Sequence, residues 1–251
     1  MTNTATGDVP GRAAYFVQSV GRAFAILRCF GADTPAMTAS AAARQTGLDR
    51  ATARRLLLTL ADLGYVRHDG RTFRLAPRTL ELGHDYLSGL TLPTTAQPHL
   101  HDLARRLTET TSLTVLDGDD VVHLAVVPGH RHVLAAMTPG ARQPAHLTSG
   151  GWVLFAALPD DQLGGRVAEP ELAAEIARTR DRGWAMAAHD LGEGVRSIAA
   201  PVRRRRGPVV AAVNATVHPD RAEHGVVERD FVPELLRTAW AIEADLAKLP
   251  E

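Results

Sequence analysis

In the first third of the chain, apolar residues recur at the three- and four-residue spacing of α-helices. Residues 17–30 predict a first helix with one apolar side. Thr38 is suited to cap a second helix that breaks at Gly47, and Asp49 is suited to cap a third. The third helix carries its apolar stripe at Ala53, Leu56, Leu57, Leu60 and Leu63. Three helices, two of them separated by a tight turn, predict a helix-turn-helix.

Beyond Gly64 the pattern changes to the alternation of β-strands. Residues 65–68 and 72–75 each alternate apolar and polar side chains, and Asp69-Gly70 between them is a strong hairpin signal. A hairpin that follows the third helix directly is a wing. The first third of the chain is therefore predicted to be a winged helix-turn-helix.

The polar sides of the third helix and the wing carry an excess of arginine. A helix of this size fits the major groove, where arginine reads guanine, and arginines on a wing suit phosphate contacts. Residues 1–80 contain 11 arginines and 5 acidic residues, a net charge of +6, whereas residues 81–251 carry −6. The alternative is an ordinary solvated face. The partner predicted is double-stranded DNA, with these candidate contacts: Arg50, Thr52, Arg54, Arg55, Arg67, Arg71 and Arg74.

Further along the chain, two helical segments precede a run of strands. Residues 77–89 predict one helix, Leu92-Pro93 predicts a break, and residues 95–109 predict a second helix. The apolar stripe in this region predicts a contact either with a second copy of the chain or with the domain that follows. Strand patterns occur at 112–116, 121–127, 133–137, 197–202 and 209–217, and helical patterns at 148–158, 170–182 and 231–248. This order predicts a mixed α+β sheet domain.

Composition argues against several classes of protein. Cys29 is the only cysteine, which excludes an internal disulfide and a cysteine-based zinc cluster. No apolar run reaches the ~18 residues of a membrane span, and the polar start does not resemble a signal peptide. The pairs His99/His101 and His130/His132 have no cysteines near them. We therefore expect a cytoplasmic protein with no membrane contact, no metal and no cofactor.

Enzymatic signatures are also missing from the sequence. It has no G-x-S-x-G elbow, no phosphate-binding loop and no H-E-x-x-H motif. No catalytic residue is predicted, and the protein is not expected to be an enzyme. Two alternatives remain open: an enzyme that acts on a small acid, and a scaffold that uses the winged helix for protein contacts. The positive charge of the first third favours DNA over a scaffold role.

The segment from Thr148 to Gly151 is a candidate site for a carboxylate. It begins a helix with exposed backbone amides and little side-chain bulk, which suits an anion. An ordinary hydroxyl cap with glycines for close packing explains the pattern equally well. Asn214 and Thr216 lie two residues apart on a strand, so they face the same side and interrupt an apolar run. A bound acid is one partner they could have.

Several stretches of the chain, in this order, resemble the IclR family of bacterial transcriptional regulators over essentially its whole length. The resemblance implies a winged helix-turn-helix, a linker helix and a GAF-like mixed α/β effector-binding domain, assembled as a homodimer and often as a dimer of dimers. The stretches are VQSVGRAFAILRCF, LDRATARRLLLTLADLGYV, FRLAPRTLELG, LDGDDVVHLA, RQPAHLTSGGWVLFAALP, GVRSIAAPV and VVAAVNATVH.

The resemblance also implies domain limits and an effector pocket. The DNA-binding domain is expected at residues 1–76 with an arm at 1–15, the linker helix at 77–94 and the effector-binding domain at 95–251. Similarity to the family assigns ligand contact to Ser149 and Gly150, a small polar pocket position to Ser197, and pocket-lining or rim positions to three others. Together with the two strand residues, the predicted effector contacts are His132, Gln143, Ser149, Gly150, His189, Ser197, Asn214 and Thr216.

A narrower likeness is to the regulators of protocatechuate, 4-hydroxybenzoate and β-ketoadipate catabolism, the Pca and Pob branch. It rests on RATARRLLLTL, on YLSGLTLPTTAQPHL, on GWA followed by RSIAAPVR, and on the segment from Asn214 to His218. The effector implied is a small carboxylic acid. The chain departs from this branch at Gly150-Gly151-Trp152 and at Ala187-Ala188, both near the expected ligand, and fewer acidic groups there would favour an anion. The sign of regulation and the operator are not specified by these residues.

Overall fold

A computed structural model describes residues 15–129, 137–167, 169–188, 196–204, 207–217, 221 and 224–249. The chain divides into two compact units, residues 1–86 and 87–251. No helix in these described parts combines the length and the apolar character needed to cross a bilayer.

The N-terminal unit is a three-helix core with a two-stranded wing. Thr38 Oγ1 accepts a hydrogen bond from Ala41 N–H, and Asp49 Oδ1 accepts one from Thr52 N–H, as the cap predictions require. Gly47 between the helices has φ +69°, a left-handed conformation that favours glycine. The elements are α1 (Gln18–Leu27), α2 (Ala39–Thr46), α3 (Arg50–Asp62), β1 (Val66–His68) and β2 (Phe73–Leu75), with β1 and β2 antiparallel.

Helix α1 buries less of its apolar stripe than its sequence predicts. Ile26 is its one fully buried residue, whereas Val20 is 53% exposed and Phe24 is 50% exposed. The core of the unit is instead closed around α3 and the wing, by Leu57, Phe73 and their neighbours. The apolar side predicted for this helix therefore closes the core only in part, through Ile26, and leaves Val20 and Phe24 half exposed.

The break predicted at Leu92-Pro93 does not occur. Helix α4 (Thr79–Ser88) ends before it, and α5 (Thr91–Leu107) begins ahead of it. Pro93 lies in the first turn of α5, where a backbone N–H has no helical acceptor in any case, so the missing donor costs little there. Pro98 lies inside the same helix. Proline therefore marks the start of α5 and not a break in it.

The C-terminal unit is built on a six-stranded antiparallel sheet in the order β5-β4-β3-β8-β7-β6. The short strands β5 and β6 were not predicted, and of the strand expected at 133–137 only Met137 lies within the described residues, outside any strand. The strands are β3 (Thr110–Asp117), β4 (Asp120–Val127), β5 (Arg142–Pro144), β6 (Ala185–Ala188), β7 (Arg196–Arg203) and β8 (Val209–Val217). The helices are α6 (Ser149–Ala156), α7 (Asp160–Leu163), α8 (Pro170–Arg182), α9 (His224–Val226) and α10 (Val232–Leu246).

The two faces of this sheet belong to different cores. Helices α5 and α10 cover one face, where Leu113, Ile198 and Val213 are fully buried. Helices α6 and α8 cover the other, where the core includes Phe155 and Ile176. Because successive strand residues point to opposite faces, each long strand supplies both cores. The polar strand residues lie under α6.

Candidate DNA-binding surface and effector site

Helix α3 presents its arginines away from the core of the N-terminal unit. Arg50, Arg54 and Arg55 are exposed, while Ala53 and Leu57 on the opposite side are buried. Thr52 is partly buried, and its backbone N–H completes the cap at Asp49. Hydrogen bonds from the backbone N–H and hydroxyl of Thr52 lower the pKa of Asp49, which keeps the capping carboxylate charged. The helix is therefore anchored at its start with a basic face turned outward.

The wing places two arginines directly opposite each other. Arg67 on β1 pairs in register with Arg74 on β2, and both are exposed, as is Arg71 in the turn. Like charges in facing positions of a two-stranded sheet destabilise it. Asp69 organises the turn by accepting hydrogen bonds from the backbone and side chain of Thr72 and from Arg71 N–H, which lower its pKa to about 2. A phosphate group is an anion that would relieve this repulsion.

A cavity lies between the start of α6 and the polar face of the sheet. It runs from β7 across β8 and β3 to β4 and β5. The residues lining it are Ser112, Thr114, Val121, His123, Met137, Gln143, Thr148, Ser149, Gly150, Ser197, Asn214 and Thr216. Most are hydroxyls, amides or an imidazole, which is unusual for a buried surface.

The helix start forms one end of this cavity. Thr148 caps α6 by accepting a hydrogen bond from Gly151 N–H at 2.9 Å, as the sequence predicts. Ser149 Oγ lies 2.8 Å from Ser197 Oγ on β7. Among the described residues, the backbone N–H groups of Ser149 and Gly150 have no hydrogen-bond acceptor. These amides carry the positive end of the helix dipole and are suited to a carboxylate.

The two glycines of α6 serve different contacts. A Cβ on Gly150 would lie 2.5 Å from Asn214 Oδ1 and 2.8 Å from Thr114 Oγ1, both inside the cavity. A Cβ on Gly151 would overlap the backbone carbonyl of Ala145. Close packing alone therefore explains Gly151. Gly150 is small because side chains of the cavity approach it.

The side-chain amide of Asn214 is held by hydrogen bonds at the wall of the cavity. Its Nδ2 group donates to Thr114 Oγ1 at 3.0 Å and to the Ala212 carbonyl at 3.1 Å, and a third acceptor, the Ser112 carbonyl, lies 3.4 Å away. The amide orientation leaves Oδ1 turned toward Gly150. Two residues further along β8, the Thr216 hydroxyl donates to Met137 Sδ at 3.5 Å.

His123 on β4 also lines the cavity, although it was not predicted from the sequence. Its Nε2 lies 3.3 Å from Gln143 Oε1, and burial lowers its pKa below the ordinary value, with that hydrogen bond opposing part of the shift. His123 Nδ1 and Ser112 Oγ are both buried without a hydrogen-bond partner among the described residues. Ser112 and Thr114 were not predicted either, although the strand pattern carried a signal for them. They flank Leu113 on one strand, so they face the same side of the sheet.

The structure brings six of the eight predicted effector contacts to this one cavity: Gln143, Ser149, Gly150, Ser197, Asn214 and Thr216. The other two, His132 and His189, lie outside the described residues. Ala187 pairs in register with Ser197, so one departure from the Pca and Pob pattern lies on the strand beside the cavity. The second, Gly150-Gly151-Trp152, begins α6 itself.

The cavity is narrow as it stands. Its space outside protein atoms is about 370 Å³, part of it open to solvent, and is so narrow that it has room for roughly one water molecule. A larger ligand requires side chains or α6 to move.

Metal binding finds no support in the part of the chain that the structure describes. No group of three or more His, Cys, Asp or Glu residues there is arranged to hold an ion. His99 Nε2 contacts Asp245 Oδ2 at 2.8 Å, and His101 Nδ1 contacts the Gln97 carbonyl at 2.9 Å, so this histidine pair is committed to other partners.

Comparison with known proteins decides the family. The profile of the IclR helix-turn-helix domain matches residues 19–70, and that of the bacterial transcriptional regulator IclR C-terminal domain matches residues 84–244. The chain belongs to the IclR family. This confirms the predicted fold class, with a DNA-binding helix-turn-helix followed by a mixed helix and strand domain. It also identifies the chain as a transcriptional regulator and not an enzyme.

Individual IclR relatives sharpen this assignment. The Pca regulon regulatory protein of Pseudomonas putida is 34% identical over 236 residues, which cover 88% of this chain and 81% of that protein. A Rhodococcus sp. RHA1 structure described as a transcriptional regulator is 42% identical, with a TM-score of 0.80, and covers 94% of this chain and 100% of that one. An IclR homologue from Microbacterium hydrocarbonoxydans complexed with 4-hydroxybenzoate is 27% identical, with a TM-score of 0.76, and covers 91% of this chain and 98% of that one. The predicted likeness to the Pca branch is confirmed.

Proposed function

We propose that this IclR regulator binds a small carboxylic acid, an aromatic acid or a metabolite of the β-ketoadipate pathway, and that the acid controls its binding to an operator. The observation that carries the proposal is the pair of amides of Ser149 and Gly150, which have no acceptor in the part of the chain that the structure describes and which line the polar cavity. Asn214 and Ser197 line the same space. The 4-hydroxybenzoate in the Microbacterium homologue and the name of the Pseudomonas relative support this class of ligand.

The narrowness of the cavity supports a mechanism by population shift. An aromatic acid is several times larger than one water, so it binds to a conformer in which the lining side chains or α6 have moved apart. A ligand shifts a conformational equilibrium by its differential affinity for the two conformers. The acid therefore stabilises the open conformer, and the affinity of the protein for its operator changes with the population of that conformer.

On the DNA side, we propose that α3 lies in the major groove and that the wing contacts phosphates. Bases or the DNA backbone are contacted from α3 by the exposed Arg50, Arg54 and Arg55, with Thr52 beside them. Phosphate charge is neutralised from the wing by the facing pair Arg67 and Arg74 and by Arg71. A regulator acting on operator DNA works in the cytoplasm.

A homodimer completes the proposal. Helix α4 has no buried residue in the described chain, and its Leu80, Leu82 and Tyr86 are all more than half exposed. An apolar helix surface of this kind is covered in the working protein, and a second copy of the chain covers it symmetrically. Such a dimer binds a pseudo-palindromic operator with half-sites about one helical turn apart. Sedimentation equilibrium at micromolar concentration should give twice the mass of the chain.

Effector binding is tested by calorimetry and thermal shift with protocatechuate, 4-hydroxybenzoate and β-ketoadipate. The uncharged 4-hydroxybenzamide is the control, since it keeps the ring and lacks the carboxylate. We expect at least one acid to raise the melting temperature in a concentration-dependent way and the amide to have no effect. Failure of all three acids, or equal binding of the amide, would contradict a carboxylate site at α6.

DNA recognition is tested with Arg54→Ala on fragments selected by the protein from a random pool. The matched control is Arg178→Ala, an exposed arginine on α8. If Arg54 reads a base, its loss costs about 1–3 kcal/mol of discrimination, and if it contacts a phosphate, the salt slope falls by about 0.9. If the affinity, the specificity and the salt dependence of Arg54→Ala were all unchanged, Arg54 would not contact the DNA.

A further inference from the structure

A second cavity lies at the opposite end of α6 from the effector site. The C-terminal halves of α6 and α8 form its helical side, and the adjoining ends of β7 and β8 form its strand side. Its space outside protein atoms is about 710 Å³, part of it open to solvent, which is within the range of small-molecule sites. This cavity therefore has the room that the effector cavity lacks. The residues that line it include Val153, Ala156, Thr179, Arg180, Pro201 and Arg203.

The helical side of this cavity carries a buried hydroxyl without a partner. Thr179 on α8 is 3% exposed, and its Oγ1 is fully buried with no hydrogen-bond partner among the described residues. Other helical threonines of the protein satisfy this atom within their own helix, since Thr59 and Thr238 each donate to the carbonyl four residues earlier. A buried hydroxyl left unpaired is costly. A ligand in the cavity is a partner that Thr179 could have.

The strand side of the cavity carries a guanidinium that is available to a ligand. Arg203 ends β7 and is exposed, and within the described chain its guanidinium makes no hydrogen bond or ion pair. Glu243 accepts a hydrogen bond from the backbone N–H of Arg203 at 2.7 Å, not from its side chain. Arg180, by contrast, is committed to two backbone carbonyls at the end of α6 and to Asp160 Oδ1. Arg203 is therefore the cation that this cavity offers.

Positive charge is concentrated at the strand side of the cavity. Residues 203–206 are four consecutive arginines, within a part of the chain, residues 81–251, whose net charge is −6. Residues 205 and 206 lie outside the described residues. A local excess of positive charge attracts anions, and arginine matches the oxygens of a phosphate particularly well. The cavity is therefore suited to an anion with several oxygen acceptors.

The positions of Thr179 and Arg203 favour a free phosphate group over a carboxylate or a DNA backbone. The ligand has to accept one hydrogen bond from a helix and another from a strand. The oxygens of a tetrahedral phosphate point in different directions, whereas those of a carboxylate lie in one plane. A phosphodiester of duplex DNA is part of a bulky double helix and cannot enter a cavity to reach a hydroxyl that is 3% exposed.

We propose that this second cavity binds inorganic phosphate or a phosphate monoester, with the Arg203 guanidinium and the Thr179 hydroxyl as its hydrogen-bond donors. The site would give the regulator a second small-molecule input at the other end of α6. The inference does not depend on the acid site, because neither donor lines the effector cavity.

The first experiment is calorimetry of the full chain with inorganic phosphate, in a buffer free of phosphate. Acetate is the matched probe for a carboxylate, and sodium chloride keeps the ionic strength constant. We expect saturable binding of phosphate and at least about tenfold weaker binding of acetate, because acetate cannot reach both donors. No saturable binding at millimolar phosphate, or equally tight binding of acetate, would overturn the proposal.

Variants then assign the binding to the two donors. Arg203→Gln should weaken phosphate binding at least about tenfold and Thr179→Val by about 2–10-fold, while Thr179→Ser keeps the hydroxyl and most of the affinity. Arg178→Ala removes an exposed charge from the same helix and should leave the affinity unchanged. Wild-type affinity in both Arg203→Gln and Thr179→Val would overturn the proposal.

A thermal melt separates lost binding from lost folding. Thr179 Oγ1 has no partner to lose within the described chain, so Thr179→Val without phosphate should melt at or above the wild-type temperature. Phosphate should then raise the melting temperature of the wild type more than that of the variant. If Thr179→Val does not fold, Arg203→Gln, at an exposed position, still decides the matter.

Two further results would assign Arg203 elsewhere and overturn the proposal. If Arg203 contacts a DNA phosphate, Arg203→Gln lowers the salt dependence of DNA binding and free phosphate does not bind saturably. If phosphate and the acid share one site, Arg203→Gln weakens both by the same factor. Unchanged acid affinity in Arg203→Gln, together with weakened phosphate binding, supports a separate site.

Discussion

The two faces of the six-stranded sheet are made from alternate residues of the same strands, yet they differ sharply in polarity. On β8, Val213 and Ala215 point into the core under α5 and α10, while Asn214 between them lines the cavity under α6. On β3, Leu113 belongs to the apolar core and its neighbours Ser112 and Thr114 to the cavity. The face under α5 and α10 buries apolar side chains, which stabilise the fold, whereas the face under α6 buries polar groups.

The difference indicates which face carries function. Burying a polar group is unfavourable unless it is hydrogen-bonded, and the cavity face leaves Ser112 Oγ and His123 Nδ1 without partners among the described residues. On the apolar face, the described strand residues include no buried side-chain polar atom without a partner. Substitutions on the apolar face should therefore change the free energy of unfolding. Substitutions on the cavity face should change the affinity for the ligand.

The largest effect is expected from Leu113→Ala on the apolar face. Leu113 is fully buried between β4 and β8, and its truncation leaves a hole that the neighbouring strands cannot close. The free energy of unfolding should fall by about 2–5 kcal/mol in urea melts, with the preference among acids retained at low temperature. A loss below about 1 kcal/mol would mean that this face is not the stabilising one.

The adjacent glycines of α6 give a matched pair. Gly151→Ala forces a methyl group against the Ala145 carbonyl and should cost about 1–3 kcal/mol of stability. Gly150→Ala displaces side-chain atoms of Asn214 and Thr114 and no backbone, so it should cost less stability but weaken acid binding at least about tenfold. Thermal melts and calorimetry on both variants separate the effects. Equal stability losses with unchanged affinity in Gly150→Ala would contradict this division.

Ser112→Ala, one residue before Leu113, should change stability little and acid affinity more. Removing a buried hydroxyl that has no partner among the described residues should change the free energy of unfolding by less than about 1 kcal/mol. Acid affinity should fall by about 2–10-fold if the ligand contacts this hydroxyl. Unchanged affinity would place the ligand closer to β8 and β7.

The smallest effect is expected at the rim of the apolar face, where Asp245 on α10 meets His99 on α5. Hydrogen bonds from Lys248 and then from His99 lower the pKa of Asp245, so the folded protein favours the carboxylate. A depressed carboxyl pKa stabilises the fold above the unfolded value near 3.9 and stops doing so as the pH falls below it. The melting temperature of Asp245→Asn should be slightly below that of the wild type at pH 7, and the gap should close in acid. If the difference in melting temperature widened in acid, the carboxylate would not stabilise the fold in the way proposed.

Local signals were predictable because they depend on residues close together in the chain. The caps at Thr38, Asp49 and Thr148 and the left-handed turn at Gly47 all lie where the sequence indicates them. Errors arose where packing decided. Pro93 was interpreted as a break because its position relative to the first turn of α5 cannot be known before the helix start is known.

The sequence by itself determined most of the longer helices and strands, their caps and the alternation that assigns each strand residue to a face, because these depend on covalent geometry and on period. Only the tertiary structure decided which polar residues meet. Asn214 reaches Thr114, 100 residues earlier, and Ser149 reaches Ser197, 48 residues later, because the strand order places β8 between β3 and β7. His123 and Gln143 pair for the same reason, across β4 and β5. A cavity assembled from five strands and a helix start has no signature in any single stretch of the chain.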